Sequence, residues 1–409
     1  MNTKKFITIG IIAVSLMALV LFVFYGNRNV LRSDLDVFSK NNMLQSLWYH
    51  YKIDYLEKDS LRALDKQRNN ITTSEGQSYS MLRAVWMNDK PVFDKVWQFT
   101  KDNFQHKEND KLISWLFGQK EDGTYGIIES EGGNNTATDA DVDIALALLF
   151  ASRRWNDETY KGDALVIIND IWINEVVNVQ GKNYLAALNL EKFDTEKSFF
   201  ILNPSYFAPY AYRIFAEVDP AHPWLDLVDT SYEVLNKNID LNLDKNITAG
   251  LPSDWVAIDK ISGEIIAVPY PTTLKTDFSF DALRIPWRLA LDDKWFQEDR
   301  AKSTLSKLSF LKKQWVNNNK ISTHYDHAGK IINKNESSAM YGGIIGYFML
   351  EDSQLAEQVY LEKLESLYNP DKFTWHRELG YYDANWAWFG IALYNDLLPN
   401  LYPVSVSKL

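Results

Sequence analysis

Three carboxylates crowd into five residues at Asp139, Asp141 and Asp143, within the run Ala137-Thr138-Asp139-Ala140-Asp141-Val142-Asp143-Ile144-Ala145. Like charges this close repel one another, and acids held in such a group have shifted proton affinities suited to acid–base work. At about 100° per residue, Asp139 and Asp143 share one helix face and Asp141 points the opposite way. One or two of these acids can therefore face a common cavity, but not all three. The D-x-D-x-D spacing also occurs in calcium loops, which require glycine at the sixth position. Here that position is Ile144, already inside an apolar run, so a calcium loop is rejected. The bland alternative is an acidic first helical turn favoured by the helix dipole. It accounts for one acid more easily than for three.

Two further segments carry chemistry at the starts of helices. In Thr72-Thr73-Ser74-Glu75-Gly76-Gln77-Ser78-Tyr79, Thr72 and Glu75 have the spacing of a capping box. Gly76, costly inside a helix, points instead to a close approach beside Glu75. In Asp281-Ala282-Leu283-Arg284-Ile285-Pro286-Trp287-Arg288, Asp281 reads either as a plain N-cap or as a working carboxylate. Arg284, one turn on, would then lie beside it and favour its charged form.

These sites must be positioned by helices. Residues 34–57 form an amphipathic opening helix, and helical pairs then recur, each broken by a polar turn. The pairs are 75–87 with 92–104, 139–155 with 158–173, 204–215 with 223–237, 281–291 with 294–315, and 338–349 with 353–367. A last helix at 381–394 has only the opening one as partner. Five pairs, an opening helix and a closing helix make twelve, which suits an all-α (α/α)6 barrel of six hairpins. The long polar loops 105–138 and 238–280 would lie on one face and build a groove.

The chain has 409 residues, and 14 Trp, 22 Tyr and 21 Phe make it 14% aromatic. Such rings either fill helix interfaces or form exposed platforms for sugar rings. A net charge of −11 argues against nucleic acid as a partner. With no cysteine and six scattered His without an H-E-x-x-H arrangement, no metal site or cofactor is expected. Residues 6–25 are an uncharged apolar segment behind Lys4 and Lys5, long enough to span a bilayer and followed by no clear cleavage site. Residues 1–30 therefore read as a membrane anchor, or as a signal segment if cleaved. Residues 31–409 read as one catalytic domain outside the cytoplasm, either anchored or secreted, and monomeric.

The segment Ala137-Thr138-Asp139-Ala140-Asp141…Ile144-Ala145…Ala151…Trp155 resembles the signature of glycoside hydrolase family 8. Ser74-Glu75-Gly76-Gln77-Ser78-Tyr79, Asn203-Pro204-Ser205-Tyr206-Phe207 and Asp281-Ala282…Arg284…Pro286-Trp287 match further blocks of that family in the same order. The resemblance covers roughly residues 35–400. It implies the same barrel, and endo-hydrolysis of β-1,4-linked polysaccharide with inversion at the anomeric carbon. It places Glu75 as general acid, Asp281 as general base and Asp139 as the residue that binds and distorts the sugar at the cleavage point. By the same resemblance Tyr206 helps hold the water and Arg284 stands beside the base. Tyr381 and Tyr382 line the groove, Trp115 offers a stacking surface, and Asp141 is either a sugar contact or structural. Relatives cleave cellulose, mixed-linkage glucan, xylan and chitosan. A single anchored domain without a carbohydrate-binding module suits trimming of an exopolysaccharide beside its synthesis or export system. The competing reading is a glycan-binding protein on the same barrel that has lost its acid or base. Terpene and lanthionine cyclases are set aside because D-x-D-D and cysteine ligands are missing.

Overall fold

The computed structural model describes residues 39–404 except 107 and 270–272. The expected anchor at 6–25 lies outside these residues, as does Tyr270. Among the described residues, no helix is long and apolar enough to cross a membrane.

Helices come in two kinds. One kind buries almost its whole circumference, polar residues included. These are α2 (Ser74–Trp86), α4 (Thr138–Trp155), α7 (Pro209–Val218), α9 (Arg284–Phe296), α12 (Ser338–Glu351) and α14 (Tyr381–Tyr394). The other kind buries one stripe. In α3 (Lys90–Asn103) the stripe is Phe93, Val96, Trp97 and Thr100, at helical spacing. In α5 (Glu158–Glu175) it includes Tyr160, Ala164, Ile167, Ile168 and Ile171. With α1 (39–55), α8 (Trp224–Asp240), α10 (Asp299–Leu305), α11 (Ser309–Asn318) and α13 (Ser353–Val359), these helices form the outer ring around the inner six. The short helix α6 (Leu190–Phe193) lies in a loop. The result is an (α/α)6 barrel.

The inner ring is drawn tight by small residues. A Cβ on Gly342 of α12 would stand 2.0 Å from the Trp386 carbonyl oxygen of α14. A Cβ on Gly346 would stand 2.3 Å from that of Pro286 in α9. Only glycine lets these backbones approach so closely. Large rings fill the remaining space: eight of the fourteen Trp are buried, among them Trp224, Trp287, Trp386 and Trp388.

Two expected helices are broken. The stretch 204–215 divides into a 3-10 turn at Pro204–Tyr206 and α7, because Pro209 has no N–H and starts a new helix. The stretch 294–315 divides at Gln297, which adopts φ +55° before Glu298 caps α10, and again at 306–308 ahead of α11. The expected loops 105–138 and 238–280 contain short strands. Thr72–Thr73 (β1), Leu116–Gln119 (β2) and Tyr125–Ile127 (β3) form one antiparallel sheet, with Thr72 opposite Phe117. Val176–Val179 (β4) and Lys182–Leu185 (β5) make a hairpin. Phe199–Leu202 (β6), Val256–Asp259 (β7) and Ile265–Ile266 (β8) form another sheet. The first and last of these sheets lead directly into α2 and α7, and so fix where those helices begin.

Candidate active site

The starts of the inner helices converge on one mouth. Glu75 is the second residue of α2 and Asp139 the second of α4. Asp281 lies in the turn ahead of α9, Tyr206 in the turn ahead of α7, and Tyr381 is the first residue of α14. Helix N-termini carry partial positive charge, which favours acids placed there. The capping box between Thr72 and Glu75 does not form. Thr73 caps α2 by accepting from the Gly76 N–H at 3.1 Å, and the Thr72 hydroxyl accepts from Arg62 instead. This leaves the Glu75 carboxylate free to turn inward. Asp281 likewise is not a plain N-cap, because its carboxylate turns to Arg284.

Arg284 gathers the three acids. Its Nη1 donates to Glu75 Oε2 at 2.7 Å and to Asp139 Oδ2 at 2.9 Å, while its Nη2 donates to Asp281 Oδ1 at 2.5 Å. Ser205 Oγ accepts from the same guanidinium at 2.7 Å, and the Tyr206 ring lies 5.2 Å from its centre. Three carboxyls against one cation cannot all ionise cheaply in a buried place. Burial raises the Glu75 pKa; Arg284 and the Tyr381 hydroxyl pull it down, and the Asp281 charge pushes it up. Tyr381 donates to Glu75 Oε1 at 2.8 Å. Asp139 is pushed up to about 7, chiefly by burial, with Arg284 opposing and Glu75 adding. Burial, with repulsion inside the trio, thus raises the proton affinity of both Glu75 and Asp139.

Glu75 and Asp139 open into a cleft of about 420 Å³, lined also by Trp115, Tyr206, Phe280, Tyr381 and Tyr382. A second hollow, lined by Tyr55, Lys66 and Glu378, continues it past Gln67 and Tyr381. The Trp115 indole is fixed by its N–H to the Gly132 carbonyl at 2.9 Å. The Tyr382 hydroxyl donates to the Phe280 carbonyl at 2.5 Å. Burial, then the charges of Asp139 and Asp281, push the Tyr206 pKa up.

The chain matches the family described as Glycosyl hydrolases family 8 across residues 27–362. It belongs to glycosyl hydrolase family 8. Endoglucanase 2 of Ruminiclostridium josui is 29% identical over 79% of this chain and 66% of that protein. The family 8 chain spans just under two thirds of the length of the curated relatives it matches first. In fold it is similar to an endo-1,4-D-glucanase from Vibrio fischeri ES114, with TM-score 0.72, 24% identity and coverage of 86% of this chain and 94% of that one. It is similar also to a cold-adapted family 8 xylanase, with TM-score 0.68, 19% identity and coverage of 86% and 87%.

Of the expected site residues in this family 8 chain, Glu75, Asp139, Asp281, Arg284, Tyr206, Trp115, Tyr381 and Tyr382 meet at the cleft or directly beneath it. Asp141 does not. It faces away, its Oδ1 accepts from the Ile113 N–H at 2.8 Å, and its side chain is fully buried. Burial, and then the Glu175 charge, raise the Asp141 pKa; burial raises that of Glu175 to about 8. Asp141 thus ties the 105–138 segment to α4 and is not placed to touch a sugar. Tyr381 is more than a groove wall, since it is buried and bonded to Glu75. Two site residues went unassigned a part in the sequence. Tyr79, one turn after Glu75, lies beneath it, 3.5 Å from Arg284 Nη1 and accepting from Trp386 at 3.2 Å. Ser205 braces Arg284. The i, i+4 spacing of Glu75 and Tyr79 was the available signal for the first. Among the described residues, no group of three or more His, Asp or Glu is arranged to hold a metal ion.

Proposed function

We propose that the chain is an inverting, endo-acting hydrolase of β-1,4-linked polysaccharide. The observation that carries this reading is the Arg284 hub, which holds Glu75, Asp139 and Asp281 at the starts of different inner helices, beside one cleft. Glu75, its proton affinity raised by burial, donates to the departing glycosidic oxygen. Asp281 takes a proton from a water whose oxygen bonds to the anomeric carbon on the opposite face, as the C–O bond to the leaving sugar breaks. Asp139 holds the sugar at the cleavage point, and Tyr206 helps place the water. The hollow continuing past Gln67 and Tyr381 supports binding of a chain of sugars rather than one terminal ring. The aromatic lining supports a neutral, ring-stacked glycan.

The glucanase and endoglucanase descriptions of its relatives favour a β-1,4-glucan; the xylanase of the same fold keeps xylan in the panel, beside chitosan and mixed-linkage glucan. We infer a role on an exopolysaccharide of the producing organism from the apolar segment at 6–25, which would hold the enzyme at the membrane. The test is hydrolysis of purified glycans by the full chain, with product stereochemistry followed by NMR. The expected result is release of internal fragments whose new ends first appear with inverted configuration. Retention, or full activity in Glu75→Gln, would sink the mechanism.

A further inference from the structure

Behind Asp281 stands another buried acid, Asp254, whose carboxylate is spent wholly on the turn that carries Asp281. Its Oδ1 accepts from the Ser279 N–H at 3.0 Å and from the Ala282 N–H at 2.7 Å. Its Oδ2 accepts from the Ser279 hydroxyl. These N–H groups lie ahead of α9 and have no partner within that helix. The clamped residues bracket Asp281, one before Phe280 and one directly after the acid.

Asp254 is itself held. The Ser253 N–H donates to Asn238 Oδ1 of α8 at 3.1 Å. His327 Nε2 meets the Leu241 carbonyl at 2.8 Å, so that nitrogen carries the proton. Nδ1 is then an acceptor for the Ser253 hydroxyl at 3.2 Å. The backbone adds two bonds, Asp254 N–H to the Asp277 carbonyl at 2.7 Å and Trp255 N–H to that of Lys275 at 3.1 Å. A continuous set of bonds therefore runs from α8 through Ser253 and Asp254 to the Asp281 turn. Asp254 is 6% exposed and makes no bond to Arg284, so it stands outside the group that meets the sugar.

We propose that Asp254 is the positioning residue for Asp281, clamping Ser279 and Ala282 so that the base stays aimed at the attacking water. This rests on the reading of Asp281 as base given above. Burial pushes the Asp254 pKa up to about 7, with the Asp281 charge next in size, so the two carboxyls lie close enough to feel each other. Holding a second acid there costs stability, which a merely structural cap would avoid by using Asn or Ser.

The experiment compares Asp254→Asn, Ser279→Ala, Asp281→Asn and Glu75→Gln in the full chain on a soluble β-1,4-glucan, with kcat, KM and thermal midpoint measured for each. Asp254→Asn is nearly isosteric but removes the charge and puts an NH2 where Oδ2 accepts from the Ser279 hydroxyl, so that bond of the clamp is lost. It is expected to lower kcat about 100-fold with KM within about threefold, because a misaimed base acts on the chemical step alone. Ser279→Ala, which removes one bond of the clamp, is expected to lower kcat about tenfold with an unchanged thermal midpoint. Wild-type kcat in both variants, or a loss confined to KM, would overturn the proposal while inactive Asp281→Asn and Glu75→Gln left the mechanism standing. If Asp254→Asn does not fold, Ser279→Ala alone decides. Full activity in Asp281→Asn would overturn the base assignment and the clamp with it.

Discussion

Two layers of charge are stacked in the barrel, one helical turn apart on the same pair of helices. In the upper layer Asp139 of α4 meets Arg284 of α9; in the lower, Asp143 meets Arg288. The residue types are the same and so is the spacing. The lower pair is one acid to one arginine, bonded twice at 3.0 and 2.8 Å, with the Tyr210 hydroxyl accepting from Arg288 at 2.7 Å. Both side chains are buried and neither lines the cleft. The upper arginine serves three acids, and two of them remain partly exposed, Glu75 at 22% and Asp281 at 30% of the side chain. Proportion and access, not residue type, separate a structural ion pair from a reactive one. A crowded trio beside one cation has reason to hold an extra proton.

The largest expected effect breaks the upper layer. Glu75→Gln should lower kcat by about 10³- to 10⁴-fold, the range of a lost general acid, while the thermal midpoint stays level or rises. Steady-state rates and a melting curve on the same preparation check both halves. A comparable fall in stability would place Glu75 with the lower layer. The converse substitution is Arg288→Met, which strands Asp143 without its partner. Breaking a buried pair from one side costs about 3–5 kcal/mol, to be read from denaturant unfolding. The double variant Arg288→Met/Asp143→Leu should recover most of it, since replacing both partners with apolar groups removes the stranded charge.

The lower layer was only half legible in the sequence, and the reason is physical. The i, i+4 spacing of Asp139 and Asp143 put both on one face of α4, and that holds. It did not say that Arg288 waited opposite, because α4 and α9 are distant in the chain and meet only once the inner ring has closed. The twelve-helix count was legible because helical pairs recur, each broken by a polar turn. The strands β2, β3, β7 and β8 were not, being two to four residues long and lacking room for an alternating pattern. Asp141 was left open between a sugar contact and a structural part, although the period had already turned it away from Asp139. Asp254 carried no local signal, since its partners Ser279 and Ala282 are reached only after the chain has folded back.

Asp139 sharpens the comparison through pH. Its folded pKa, raised from 3.8 to about 7, lies above its unfolded value. Between those values the folded state binds the extra proton, so this contribution to stability is full below pH ~4 and lost as pH rises through ~7. Asp139→Asn should flatten that slope, gaining about 4 kcal/mol relative to wild type at pH ~8 against pH ~4. Unfolding midpoints across that range check it. An unchanged slope would mean that Asp139 is ionised throughout, as a one-to-one pair would be.

The smallest expected effect lies at the rim. Trp115 touches none of the three acids and lines the cleft with a ring held in place by the Gly132 carbonyl. Its own carbonyl accepts from the Ser74 N–H at 3.0 Å, which helps start α2, but that bond belongs to the backbone and survives a side-chain change. Loss of the ring should therefore weaken the hold on the sugar without moving Glu75. Trp115→Ala is expected to raise KM about 3- to 10-fold, roughly 1 kcal/mol, with kcat unaltered. Trp115→Phe should restore part of the affinity because a smaller ring still stacks. A fall in kcat in Trp115→Ala with KM unchanged would show that the ring supports the start of α2 rather than the glycan. The boundary between the reactive layer and its surroundings would then lie further out than the Arg284 hub.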